Sequence, residues 1–139
     1  MGHALTTLGV PKILEVGDTT DALEQVRIRT PDLIISEYEI AGCLVFLQDV
    51  RHDEASAVRA LPVIMTIGAP AAQRIHDICD AGAHETLVTA FSASALTRHI
   101  VGIFTEQRKH VKTPTYIGPE QRNGNTGFTG ADRQRPEQK

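Results

Sequence analysis

Apolar positions along this chain fall into short unbroken runs, separated by stretches in which they recur every three or four residues. The first run, residues 12–16 (KILEV), follows the turn-like Gly9-Val10-Pro11 and predicts a strand. Residues 19–30 place Ala22, Leu23 and Val26 on one helical face, with Thr19 or Thr20 as the N-cap, and Pro31 ends that helix. Leu33-Ile34-Ile35 is continuous, the pattern of a strand covered on both faces. A helix near 43–52 uses Leu44, Leu47 and Val50, and a loop leads to a second buried strand, Pro62-Val63-Ile64-Met65. A helix over about 71–81 buries Ile75, Ile78 and Cys79, with Gly82 as its stop. Residues 85–89 predict the last strand. Ser92 then caps a helix whose apolar stripe is Leu96, Ile100, Ile103 and Phe104.

The resulting order, strand and helix four times over, predicts an α/β fold: a parallel sheet with right-handed crossovers and helices on both faces. In such sheets chemistry gathers at the carboxyl edge of the strands. Here that edge is marked by Gly17-Asp18, Glu37-Tyr38-Glu39, Thr66-Ile67-Gly68 and Thr89-Ala90-Phe91.

From Thr113 onward the periodicity stops and Gly, Pro, Asn, Gln and Arg dominate. The expected organisation is one domain over residues 1–112 and a flexible tail over 113–139. A weak repeat runs through the tail. Tyr116-Ile117-Gly118-Pro119-Glu120 and Phe128-Thr129-Gly130-Ala131-Asp132 each combine an aromatic, a glycine and an acid, with an arginine after them. The tail reads as a solubilising segment or as a peptide that orders on a partner. Charge separates the same two parts: residues 1–104 hold seven Lys/Arg against thirteen Asp/Glu, and residues 105–139 hold seven against four. So acidic a body argues against a nucleic-acid-binding face, which must neutralise phosphates, while the basic tail suits an acidic partner.

A length of 139 residues with 41% hydrophobic and 22% charged residues fits one globular domain. No apolar run approaches the ~20 residues of a membrane span, and the opening MGHALTTLG lacks the pattern of a signal peptide. Two cysteines, Cys43 and Cys79, make neither a disulfide framework nor a metal-type pair. A cytoplasmic protein is the expectation. The six histidines show no metal-binding spacing, Cys79 has no neighbouring His or Lys in sequence to favour a thiolate, and no glycine-rich phosphate loop is present. These absences predict no enzyme, no metal and no cofactor.

The stretches PDLIISEYEIAG, LPVIMTIGAP and DAGAHETLVTAFSASAL resemble the third, fourth and fifth strands of the receiver domain of bacterial response regulators, with their following segments. LGVPKILEVGDTTDALEQVRIRTPD resembles the end of that family's first helix, its second strand and its second helix. The resemblance spans residues 4 to about 104 and implies a flavodoxin-like sheet of strand order 2-1-3-4-5. It further implies phosphoryl transfer to an aspartate after the third strand, with Mg²⁺ held by an acidic pair after the first. A Thr/Ser after the fourth strand and a Lys after the fifth would contact the phosphoryl group.

At each of these positions the sequence departs from the pattern. The phosphoacceptor position holds Glu37, whose extra methylene displaces the carboxylate. Ile67 stands at the Thr/Ser position, with Thr66 one residue early and facing the other side of the strand. Thr89 replaces the lysine and Ala90 the proline after it. The first strand and its acidic pair have no counterpart, so a degenerate receiver of about four strands, truncated at its N-terminus, is expected. Its function would be that of a non-catalytic pseudo-receiver, a protein-interaction module in bacterial two-component signalling whose partner is a histidine kinase or another signalling protein. Glu37 could also act as a fixed mimic of a phosphorylated aspartate. The alternative is a phosphoacceptor receiver, dependent on Mg²⁺, whose missing strand is encoded upstream or supplied by another chain. Two packings remain open. Either residues 12–16 close up against the strand at 33–36 while residues 3–8 cover the sheet face, or a homodimer covers it through Leu96, Ile100, Ile103 and Phe104.

Overall fold

The computed structural model of the chain describes residues 12–106 and 110–120. Helix α1 (Thr19–Arg29) starts on Asp18, whose carboxylate accepts the Asp21 N–H at 2.8 Å. The cap is thus Asp18 and not Thr19 or Thr20, since an ionised acceptor one residue earlier satisfies a first-turn donor and complements the helix dipole. The helix ends at Thr30, in the left-handed region at φ 43° directly before Pro31.

Strand β1 (Ile34–Glu37), helix α2 (Cys43–Arg51), the short α3 (Ser56–Arg59), strand β2 (Val63–Ile67), helix α4 (Ala72–Ala81), strand β3 (Glu85–Val88) and helix α5 (Ala93–Thr105) follow. Helix α3 lies where the sequence predicts a loop, because four residues are too few to show a helical repeat. The strands form one parallel sheet in the order β1-β2-β3, with Ile35 beside Ile64 and Thr66 beside Leu87. Every residue of β2 is buried, Thr66 included, in keeping with its largely apolar sequence. Val63, Met65 and Ile67 pack on one side, with Phe46, Leu47 and Val50 of α2 and Ile78 of α4. Ile64 points to the other side, with Leu87 and with Leu96 of α5. Ser92 caps α5 by accepting the Ala95 N–H at 3.1 Å, and α4 stops at Gly82, whose φ is 106°.

Two expectations are corrected. Residues 12–16 form no strand: residues 12–15 are exposed, with Leu14 at 56%, and among the described residues the main sheet has three strands instead of four. An apolar run becomes a strand only where a neighbour takes its backbone hydrogen bonds, and here it does not close up against β1. The second correction concerns the tail. Strands β4 (His110–Thr113) and β5 (Tyr116–Pro119) make an antiparallel hairpin across the boundary drawn at 112/113, so Tyr116, Gly118 and Pro119 belong to folded structure. Phe128 and Gly130 lie outside the described residues, as do residues 3–8.

The hairpin is held by a close backbone approach. The Tyr116 hydroxyl donates to the Pro119 carbonyl at 2.6 Å, and Gly118 lies against Gly82. A Cβ on Gly82 would sit 2.7 Å from the Ile117 carbonyl oxygen, and one on Gly118 would sit 2.9 Å from the Gly82 Cα. The two glycines meet where neither chain has a side chain to place. Beside this junction Arg51 is fully buried. Its Nε donates to the Gly82 carbonyl at 2.9 Å and its Nη1 to the Leu61 and Arg59 carbonyls at 2.7 and 3.0 Å. Nη2 lies 3.2 Å from His84 Nδ1, which also accepts the Val63 N–H at 3.3 Å. An Nδ1 that accepts from two donors requires a neutral imidazole with its proton on Nε2. Burial lowers the guanidinium to about 10, so it stays charged at neutral pH. The His84 ring in turn lies 5.2 Å from that of His110 in β4.

Candidate functional site

Parallel pairing delivers the ends of β1, β2 and β3 to one edge, and the residues singled out in the sequence arrive there together. Glu37 closes β1, is exposed, and stands directly beside Thr66 of β2. Thr66 is 1% exposed and its Oγ1 has no hydrogen-bond partner among the described residues. It shares its face with Ile64, opposite to that of Ile67, as strand alternation demands. Ile67 is fully buried in the core formed with α2 and α4. Thr89 follows β3, is exposed, and donates its N–H to the Ile67 carbonyl at 2.9 Å. Ala90, next in the chain, has φ 71°, a conformation unusual for a residue with a side chain.

The acid that crosses between strands is Glu39, two residues beyond the one emphasised by the resemblance. Its Oε2 accepts the Gly68 N–H at 2.8 Å, joining the loop after β1 to the end of β2. A Cβ on Gly68 would meet Glu39 Oε2 at 3.5 Å and Thr89 Oγ1 at 3.4 Å, so a carboxylate and a hydroxyl both lie beside Gly68. The loop is fastened further at its base. Tyr38 donates its N–H to the Thr66 carbonyl at 2.8 Å, and Cys43 Sγ–H donates to the Tyr38 carbonyl at 3.0 Å. Burial pushes the Cys43 thiol up from its ordinary value, which keeps it protonated and a poor nucleophile. The Arg74 guanidinium lies 6.0 Å from the Tyr38 ring centre and donates to the Ala69 carbonyl at 2.8 Å.

Asp18, marked in the sequence as part of this edge, follows no strand and is committed to capping α1. Among the described residues no group of three or more His, Cys, Asp or Glu could hold a metal ion. A surface groove of about 560 Å³ lies between α1 and α2, against Leu23, Ile28, Val45 and Phe46, and does not involve the strand ends. What this edge can do chemically is therefore narrow. It presents an exposed carboxylate at Glu37 and a second carboxylate already bonded to a backbone donor. Ile67, at the end of β2, is buried in the core.

Of the residues expected at a contact surface, Leu96 is fully buried and belongs to the core. Ile100 and Ile103 pack partly against that core, and Phe104 is 46% exposed. Val101, unmarked in the sequence, is exposed beside it. Among the described residues no helix is long and apolar enough to cross a membrane.

No family model and no curated protein matches the chain. Solved structures do. A structure described as a response regulator from Chloroflexus aurantiacus J-10-fl is 20% identical, with TM-score 0.67 over 75% of this chain and 84% of that one. The signal receiver domain of a signal transduction histidine kinase from Syntrophus aciditrophicus is 18% identical, with TM-score 0.65 over 82% and 86%. A two-component response regulator of the LuxR family from Aurantimonas sp. SI85-9A1 is 16% identical, with TM-score 0.59 over 69% and 67%. This chain, with its parallel sheet and flanking helices, shares the flavodoxin-like α/β fold of those receiver structures.

Proposed function

We propose that this chain is a non-catalytic, receiver-like module of bacterial two-component signalling that acts in the cytoplasm by protein contact, without phosphoryl chemistry of its own. The observation that carries this reading is the carboxyl edge of the sheet. There the Glu39 carboxylate already occupies the Gly68 amide, and Ile67 is locked into the core. A phosphoacceptor site needs a carboxylate free to attack, a hard cation beside it, and donors that move onto the new phosphoryl oxygens. Here the attacking position carries the longer Glu37, the lysine position carries Thr89, and the Gly68 N–H beside them is satisfied from within. With the Glu39 carboxylate already on that donor, the edge is suited to holding a partner and unsuited to switching. No Mg²⁺ is required. The partner class is a signalling protein such as a histidine kinase, with self-association through the exposed side of α5 as a second mode of contact.

Amide spectroscopy on the 139-residue protein tests this reading. Adding Mg²⁺ at millimolar concentration should leave the Glu37, Glu39, Gly68 and Thr89 amide resonances in place, while Glu39→Ala should move that of Gly68. Saturable Mg²⁺ shifts centred on Glu37 would instead mark a working metal site and overturn the reading.

A further inference from the structure

We propose that the outer edge of β1 is a self-pairing surface, along which two copies of this chain join antiparallel about a twofold axis at Ile35. The proposal gives the protein-contact reading above one definite surface and rests on it only for the kind of partner. The backbone defines the edge. Ile34 and Tyr38 donate their N–H groups to the Pro62 and Thr66 carbonyls at 3.0 and 2.8 Å. Direction alternates along a strand, so the N–H groups of Ile35 and Glu37 and the carbonyls of Leu33 and Ile35 face away from β2. Residues 12–16 do not pair with them.

The residues on this edge are those of an interior strand. Leu33-Ile34-Ile35 is apolar on both faces, and Ile34–Glu37 contains no proline, lysine or bulge, the devices that keep edges from pairing. Such an edge recruits a strand, and three features favour a second copy of itself. With Ile35 opposite Ile35, the outward donors and acceptors are self-complementary: each Ile35 N–H meets the other Ile35 carbonyl, and each Glu37 N–H meets the other copy's Leu33 carbonyl. In the same register Glu37 faces Leu33, Asp32 faces Tyr38 and Glu39 faces Pro31, so no carboxylate opposes another although three of them flank the strand. Finally, a twofold axis through the sheet keeps like faces together. The half-covered apolar face of Leu33, Ile35, Ile100 and Ile103, with Val101 and Phe104 exposed at its margin, then continues from one copy into the next.

Light scattering and native-state hydrogen exchange on the 139-residue protein, across the micromolar range, test the proposal. The mass should rise from monomer to dimer, and the Ile35 and Glu37 amides should gain protection in step with the dimer fraction. The Ser36 amide, which faces β2, should stay protected throughout. Ile35→Pro removes an outward N–H but none of the β1–β2 ladder. It should raise the dimer dissociation constant at least about tenfold, with Ser36 protection reporting that the sheet persists. If that variant does not fold, the exchange pattern of the unaltered chain decides alone. A monomer at every concentration would overturn the proposal. So would protection of Ile35 and Glu37 that ignores concentration, because the edge would then be covered within one chain. Neither result bears on phosphoryl chemistry, which is tested separately.

Discussion

Replacing Gly82 by alanine puts one methyl group where helix α4, the hairpin and Arg51 converge, and its cost follows from two independent terms. Gly82 has φ 106°, outside the range open to residues with a side chain, and holding alanine in left-handed backbone costs about 1–2 kcal/mol. The added Cβ would also lie 2.7 Å from the Ile117 carbonyl oxygen, 3.0 Å from Arg51 Cγ and 3.1 Å from its Nε. The first neighbour is backbone and the others belong to a side chain pinned by four hydrogen-bonding partners, so none can yield cheaply. Overpacking of this kind adds about 1–3 kcal/mol. The expected loss of about 2–5 kcal/mol is a large share of the ~5–15 kcal/mol typical of a domain. Urea unfolding followed by circular dichroism measures it, with Gly102→Ala as the control, since a Cβ there meets nothing within 4 Å and alanine favours the α5 helix. Gly118→Ala should also destabilise, because its Cβ would sit 2.8 Å from the Tyr116 hydroxyl and 2.9 Å from the Gly82 Cα. A Gly82→Ala variant within about 1 kcal/mol of the parent, together with a neutral Gly118→Ala, would show that the hairpin does not pack on this junction.

Arg51→Met keeps the apolar stem but leaves the Gly82, Arg59 and Leu61 carbonyls without their shared donor; it should cost about 2–4 kcal/mol by the same urea assay, and a neutral result would remove Arg51 from its structural role. Asp53 accepts from Arg27 Nε at 2.7 Å and from the Ala55 N–H at 3.0 Å, and the Arg27 hydrogen bond, the larger cause, holds its carboxyl below the ordinary value. A depressed folded-state pKa contributes stability that is present above the unfolded value of about 3.9 and is lost as pH falls through the folded one. Arg27→Ala should therefore lower the melting temperature at neutral pH and flatten that acid limb, with variant and parent converging at low pH; an unchanged limb would contradict the pairing.

The helices and the buried strands were legible in the sequence because their signals are local. The stripe of α5, the Gly82 stop of α4 and the unbroken apolar run of β2 each announce themselves within a dozen residues. Residues 12–16 carry the same apolar signal as β1, yet a strand also needs a partner, and pairing is decided far away in sequence. The hairpin is not legible in the sequence because its strands have four residues each and Tyr116-Ile117-Gly118-Pro119 has the composition of a turn. Arg51 and His84 are 33 residues apart, and carbonyl partners leave no trace in side-chain identity. At the sheet edge the ends of β1, β2 and β3 were legible and Glu37 stood out, while Gly17-Asp18 was marked after a stretch that forms no strand. Which of two acids in Glu37-Tyr38-Glu39 reaches across to Gly68 depends on how the loop turns, and periodicity does not report that.

The most direct measurement of the central claim is the intact mass of the 139-residue protein after incubation with a small-molecule phosphodonor and Mg²⁺. An edge whose backbone donor is held by Glu39, with Ile67 buried and Thr89 in place of a lysine, predicts an unchanged mass. A stoichiometric phosphoryl adduct that disappears in Glu37→Ala would contradict the account, because Glu37 would then be a competent phosphoacceptor.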